Sequence, residues 1–483
     1  MLSSSLTDIL RSFSKKEIKE FGLFVESPYY NTSEATTKLY YEIIKFYPGF
    51  SSRNFEKEYL FNRVYPGAIL KEDLLRKLLS NLIKLTNEFM KQESVKKMND
   101  QELLVLKEYS KRGLSGMFEK KADEILKMAN LRTGISAQKF DLISKTELVR
   151  SEFYAGINQT EKYLSSYQNH TENLLVFYMT DLLYAAMQIK INSGYHKKTE
   201  LSSLLGFIQS LNLSSVPGQF QNEHQRQLVD VYIRIYKLYF DQVNDDDFFY
   251  LFNRLQIFRK TFDKPLVKVV LTGLEYYCVS KYERNKDRVV LGSLADVYRF
   301  ELSEDLFERS HDDYMFVTNF RNYLIVFLAV NIEYAEELLE KHICNINPDI
   351  KEALTHFAKM MIYFKKKDFK QSLFHINKID LVYFAFKYDV KAFQVKLHFE
   401  LGNYEQVFSQ IDTFKHYIRD EDKLERYTSE IKEFLDCSFR LTKAVSQGNT
   451  EEMELLRNYV EKGSFIYESV WLLEKLNELT EPH

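Results

Sequence analysis

The residues of this 483-residue chain best suited to chemistry are ten histidines, three cysteines and the carboxylates beside them. His342-Ile343-Cys344 could offer two metal donors, but alternate residues on a helix point to different sides, which favours a structural role. Cys278, Cys344 and Cys437 lie far apart with no ligand-type spacing, and read as buried free thiols in a reducing cytosol. His311-Asp312-Asp313 could hold a cation through its carboxylates, and an acidic N-terminal helix cap accounts for it equally well. His356, His375, His398 and His416 recur at unequal spacings, so stacked helices could bring some of them together. The sequence carries no Gly-rich phosphate loop, no Gly-x-Ser-x-Gly and no His-Glu-x-x-His. The expectation is therefore no catalytic residue, no metal and no cofactor; an enzyme with a dispersed, motif-less site is the third-ranked reading.

Phosphate recognition needs clustered cations. Lys96-Lys97 and Lys365-Lys366-Lys367 are short basic segments, and Lys71, Arg76, Lys77 and Lys84 fall along one N-terminal helix that could enter a nucleic-acid groove. Against that, residues 1–95 hold 14 Lys and Arg against 12 Asp and Glu, and the whole chain has a net charge of −3. Neither balance is the basic footprint of a nucleic-acid-binding surface. Aromatics are abundant, with 33 Tyr and 38 Phe. Most recur at helical spacing beside other apolar residues, which assigns them to helix cores before recognition surfaces.

The elements that must position these residues are helices. Only 15 Gly and 7 Pro punctuate the chain, too few for the turns of an all-β protein. The fold class expected is all-α, with a small N-terminal helical module over 1–95 and an α-α helical-repeat region over 100–483. Within the module, Ser14-Lys15-Lys16-Glu17 is a capping box opening a helix that carries Ile18, Phe21 and Val25 and stops before Pro28. Further helices are expected from Ser33 to Phe46, around Phe55, Tyr59 and Val64, and from Lys71 to Lys91 with Leu74, Leu75, Leu78, Leu82, Leu85 and Phe89 as its apolar stripe. Phe13 to Glu17, Ser27-Pro28-Tyr29-Tyr30-Asn31, Phe46-Tyr47-Pro48 and Tyr65-Pro66-Gly67 together resemble the opening of a group of uncharacterised helical bacterial proteins. That resemblance covers about a fifth of the chain and implies a recurring module without a known chemistry.

Further on, Val229, Tyr232, Ile233, Tyr236, Tyr239 and Phe240 mark one helix face and Val231, Ile235 and Leu238 the other, as in a helix buried between neighbours; Asp245-Asp246-Asp247 reads as a solvated turn. Lys367-Asp368-Phe369-Lys370-Gln371-Ser372-Leu373 matches Gly402-Asn403-Tyr404-Glu405-Gln406-Val407-Phe408, 35 positions later, with looser copies at Gly448-Asn449 and at Asn331 to Ala335. The clearest repeats span about 350–420. Period and turn resemble the tetratricopeptide repeat. The departures are large residues where the paired helices meet: Met360 and Val395, then Val407, with only Ser372 small. Phe357 and Met361, then Ala392 and Lys396, replace the Lys and Asn that hold a peptide carboxylate in that family, so the resemblance implies stacked hairpins without that clamp.

Met1-Leu2-Ser3-Ser4-Ser5 lacks the charged start and apolar core of a signal peptide, and Leu174 to Ile189, the richest apolar run, is broken by Thr180-Asp181. A cytoplasmic, non-membrane protein is expected. The leading functional expectation is a non-enzymatic scaffold or adaptor that binds a protein or peptide on a helical-repeat surface. The alternative is a nucleic-acid-binding regulator that reads with its N-terminal module.

Overall fold

The structure is a computed structural model that describes residues 4–50, 55–98, 100–131, 134–193, 202–240, 245–285, 289–379, 384–420, 425–462 and 468–480. Met1, Leu2 and Ser3, read above against a signal peptide, lie outside the described residues. The chain is all-α, 83% helical, with no strand among the described residues. It divides into two compact units, Met1–Arg132 with Ser136–Asp181, and Thr133–Ile135 with Leu182–His483.

The first unit contains α1 (Ser4–Ser12), α2 (Lys15–Glu26), α3 (Glu34–Ile44), α4 (Lys57–Val64), α5 (Glu72–Lys97), α6 (Gln101–Lys111), α7 (Ser115–Leu131), α8 (Ala137–Gly156) and α9 (Thr160–Ser193) as far as Asp181. The Ser14 hydroxyl accepts from Glu17 N at 3.2 Å while Glu17 accepts from Ser14 N at 2.8 Å, so both free backbone donors at the start of α2 are satisfied. Leu6, Phe21, Leu39, Leu60, Leu75 and Phe89 share one core, and Leu106, Phe118, Ile125 and Phe153 a second. Tyr59, expected inward, is 38% exposed, because Leu60 and Phe61 take the buried face of α4. Lys96 and Lys97 form the last turn of α5 and do not lie beyond it.

α9 is long and apolar enough over Thr160–Asn192 to cross a membrane, by length and composition alone, and 33% of its apolar window is buried. Asp181 interrupts it as a charge but not as a helix, since uncharged polar residues fill most of its other non-apolar positions.

The second unit continues with α10 (Ser202–Ser210), α11 (Glu223–Phe240), α12 (Asp245–Phe252), α13 (Leu255–Thr261), α14 (Lys264–Asn285), α15 (Val289–Ser303), α16 (Val317–Val330), α17 (Ile332–His342), α18 (Pro348–Lys365), α19 (Phe369–Ile376), α20 (Phe384–Glu400), α21 (Tyr404–Asp420), α22 (Glu425–Gln447), α23 (Thr450–Lys462) and α24 (Ser469–Thr480). From α14 to α24 each helix packs on the next, as elements adjacent in the sequence usually do. α11 is buried on both faces, with Val229, Val231 and Ile235 fully enclosed. The solvated turn expected at Asp245 to Asp247 is instead the first turn of α12, and Asp247 is buried against Arg234 at 2.5 Å. Three acidic residues at a helix N-terminus face its positive end, which is why they begin a helix. The largest fully buried side chains are all Phe or Tyr.

The 35-residue match is a turn with a physical definition. Lys367, Gly402 and Gly448 each take a left-handed φ, at 61°, 72° and 63°. In each case the following N–H bonds back to a carbonyl five residues earlier: Asp368 to Tyr363, Asn403 to His398, Asn449 to Ala444. This is the Schellman ending of one helix followed by the start of its partner. Asn331 is different. It caps α17 through its side chain, with an extended φ of −150°, so that looser copy is a separate turn type.

Candidate functional site

The structure separates most of the residues that the sequence singled out. His342 ends α17 and Cys344 follows it exposed, its thiol turned to the Lys341 carbonyl. His311, Asp312 and Asp313 do not cap a helix; they sit exposed in the loop before α16, where Arg309 reaches Asp305 and Asp313. His416 is exposed beside Asp412, and His398 keeps a buried Nδ1 without a partner. His356 and His375 do meet, with their Nδ1 atoms 2.8 Å apart and their ring centroids at 5.1 Å. That centroid separation puts both Nδ1 atoms on the line between the rings, so the Nδ1–H of one ring points at the Nδ1 lone pair of the other and no common ion fits between them. The pair is one N–H···N hydrogen bond, covered by Tyr363 stacked on His375. No group of three or more metal-type side chains occurs among the described residues.

Four of the nine basic residues singled out are ion-paired where they stand. Lys366 pairs with Glu336, Lys367 with Glu478, Lys96 with Glu93, and Arg76 with Glu72 and Asp73. The positions of the tetratricopeptide clamp are enclosed: Phe357 and Ala392 are fully buried, and Lys396 is 3% exposed, paired with Glu468 and lying over the Phe393 ring. None of them faces a ligand.

Two arrangements escaped the sequence because each is assembled from several helices. The first is a carboxyl pair in the core of the second unit. Glu301 on α15 is buried and accepts from the Tyr323 hydroxyl of α16 at 2.8 Å. Burial pushes its carboxyl up to about 7, against the opposing pull of Tyr323 and of the Lys268 ammonium. Glu275 on α14 is held well above the ordinary carboxylate value, by burial first and then by the charges of Glu301 and Glu308. The neighbouring Cys278 thiol is pushed up to about 12 by burial and by Glu275. A cavity of about 300 Å³ adjoins this cluster through Lys268, Thr272 and Glu308. The arrangement can store a proton near neutral pH, but Glu301 and Tyr323 are enclosed by packing, so a substrate has no direct approach to them.

The second arrangement is open to solvent. A cavity of about 510 Å³ lies against α15, α16 and α17, within the range of small-ligand sites. Its apolar wall is Phe300, Leu302, Phe327 and Leu338. The polar groups that converge on it are Arg299, Tyr334, Glu337, Lys341 and His342. α15 thus presents opposite faces to two sites: Tyr298 and Glu301 enter the core, while Arg299, Phe300 and Ser303 line the cleft. The Arg299 guanidinium lies over the Tyr334 ring at 4.3 Å and donates to its hydroxyl at 3.3 Å. Lys341 pairs with Glu337 at 2.6 Å, and that hydrogen bond holds the Glu337 carboxyl below its ordinary value. Burial lowers the His342 pKa, which leaves its imidazole neutral at pH 7.

Compared with protein-family models, with curated proteins and with solved structures, the chain matches none.

Proposed function

We propose that this chain is a non-enzymatic, helical-repeat interaction protein that docks a segment of a partner protein in the cleft formed by α15, α16 and α17. The observation that carries this reading is the cleft itself: an aromatic and aliphatic wall with two cations and one carboxylate at its edge, accessible from solvent. Such a combination gives burial for affinity and a few fixed polar groups for orientation. The succession of helical hairpins closed by one turn type, at Lys367, Gly402 and Gly448, supports a repeat architecture of the tetratricopeptide kind with larger residues at the helix crossings. The nucleic-acid alternative draws less support, because Arg76 is paired on its own helix and the chain carries no net positive charge.

The test is affinity capture from the native cells with the tagged chain and with its Phe300→Asp variant, each split into nuclease-treated and untreated halves. The reading expects a defined partner that persists after nuclease and is lost with Phe300→Asp at unchanged circular dichroism. A partner set identical in the two proteins, or one that disappears with nuclease, refutes it.

A further inference from the structure

Resting on the docking reading, we infer that the α15–α17 cleft recognises a carboxylate attached to a bulky apolar group, with Arg299 as the anion-binding residue. A free carboxylic acid and the C-terminus of a peptide ending in a large apolar residue share this chemistry.

The argument begins with the state of Arg299. Among the described residues its side chain makes one hydrogen bond, to the Tyr334 hydroxyl at 3.3 Å through Nη1, and the Asp296 carboxylate forms a longer ion pair at 3.8 Å, beyond hydrogen-bonding distance. Its Nε and Nη2 donors make no hydrogen bond among the described residues. A guanidinium presents paired, rigidly spaced donors that match the two oxygens of a carboxylate. Here the Tyr334 ring fixes the plane of the fork by stacking, so less freedom is lost when an anion binds.

Donor geometry and shape then select the ligand. Arg299 and Lys341 bring two positive charges to the cleft and Glu337 and Asp296 two negative ones, so an anion is drawn by the open Nε–Nη2 edge of Arg299 and not by a net charge. Glu337 already occupies Lys341 at 2.6 Å. That leaves Arg299 as the primary contact, with Lys341 as a nearby favourable charge. Phe300, Phe327 and Leu338 form the other side, and about 510 Å³ holds one large side chain together with its carboxylate. A polyanion such as a phosphorylated chain would meet Glu337 as a repelling neighbour, so a monoanion fits best.

The experiment uses the full chain and three probes. Two are fluorescein-tagged hexapeptides ending in Leu-Phe, one with a free C-terminus and one amidated, read by anisotropy; the third is 3-phenylpropanoate, followed by ligand-observed NMR. The inference expects the free peptide to bind at least about tenfold tighter than the amide, a difference that Arg299→Gln removes and Arg299→Lys partly restores. Arg299 is exposed on α15, so neither variant threatens the core. Binding of 3-phenylpropanoate alone, lost in Arg299→Gln, supports the carboxylate assignment with a small acid as its source and counts against peptide docking. Equal binding of acid and amide overturns the inference and leaves the docking reading standing. No binding of any probe at millimolar concentration overturns the inference as well.

Discussion

At the scale of single residues, burial decides which polar groups matter. Glu301 is an ordinary acidic residue in the sequence, and only its enclosure beside Tyr323 raises its carboxyl to about 7. Between the usual carboxylate value of 4.5 and that figure, the folded chain holds a proton that the unfolded chain has released. Stability from this group is therefore fully present below the lower value and is lost as pH rises through about 7. Glu275 acts in the same direction. Glu301→Gln, which keeps a hydrogen-bonding side chain without the titration, should flatten the fall in melting temperature between about pH 5 and pH 8. Parallel profiles for the two proteins would show that Glu301 does not titrate differently on folding. Phe369 and Tyr404 illustrate the opposite case. Each is the aromatic that follows a hairpin turn, and both are half-buried, with Phe369 against Phe364 and Tyr404 against Phe399. Truncation to Ala should then cost about 1–2 kcal/mol instead of the 3–5 kcal/mol of an enclosed ring, as denaturant melts would report.

Elements are held together by close approaches that tolerate no added atom. A Cβ on Gly273 of α14 would stand 2.6 Å from the Ile235 methyl of α11, at a crossing where both positions are fully buried. Gly273→Ala should destabilise the second unit by about 1–3 kcal/mol, the cost of overpacking, although Ala is the better helix former. A melting temperature at or above that of the unaltered chain would mean that α11 and α14 are less tightly apposed. The α18–α19 hairpin uses a different device: the Ser372 hydroxyl, wholly buried, donates to the Met360 carbonyl at 2.7 Å. Ser372→Ala should cost about 1 kcal/mol, and Ser372→Leu considerably more, because the crossing has no room for it. Near the end of the described residues, Glu400 on α20 accepts from Trp471 Nε1 at 2.8 Å and from Lys475 at 3.0 Å, which ties α24 to α20 across the three intervening helices.

For the molecule as a whole, nearly equal numbers of acidic and basic residues forecast weak interaction with polyanions. Anisotropy with a 30-base-pair duplex or single-stranded RNA at about 50 mM salt should show no salt-sensitive binding; a steep salt slope would restore the nucleic-acid reading. The all-α class, the capping box at Ser14, the apolar stripe of α5 and the recurring hairpin turn were all legible in the linear sequence. Each depends on residues within a few positions of one another, where periodicity and backbone hydrogen bonding are local. The approach of His356 and His375 was legible as a possibility, though not as a pairing, because it depends on how α18 and α19 cross. The carboxyl pair and the cleft were not legible at all. Glu275, Glu301 and Tyr323 come from three helices, and so do Arg299, Phe327 and Tyr334. Local sequence determined that helices form and where many of them stop. Tertiary packing alone decided which charges lost their water and which guanidinium was left facing an open cavity, because desolvation and convergence are properties of neighbours far apart in the chain.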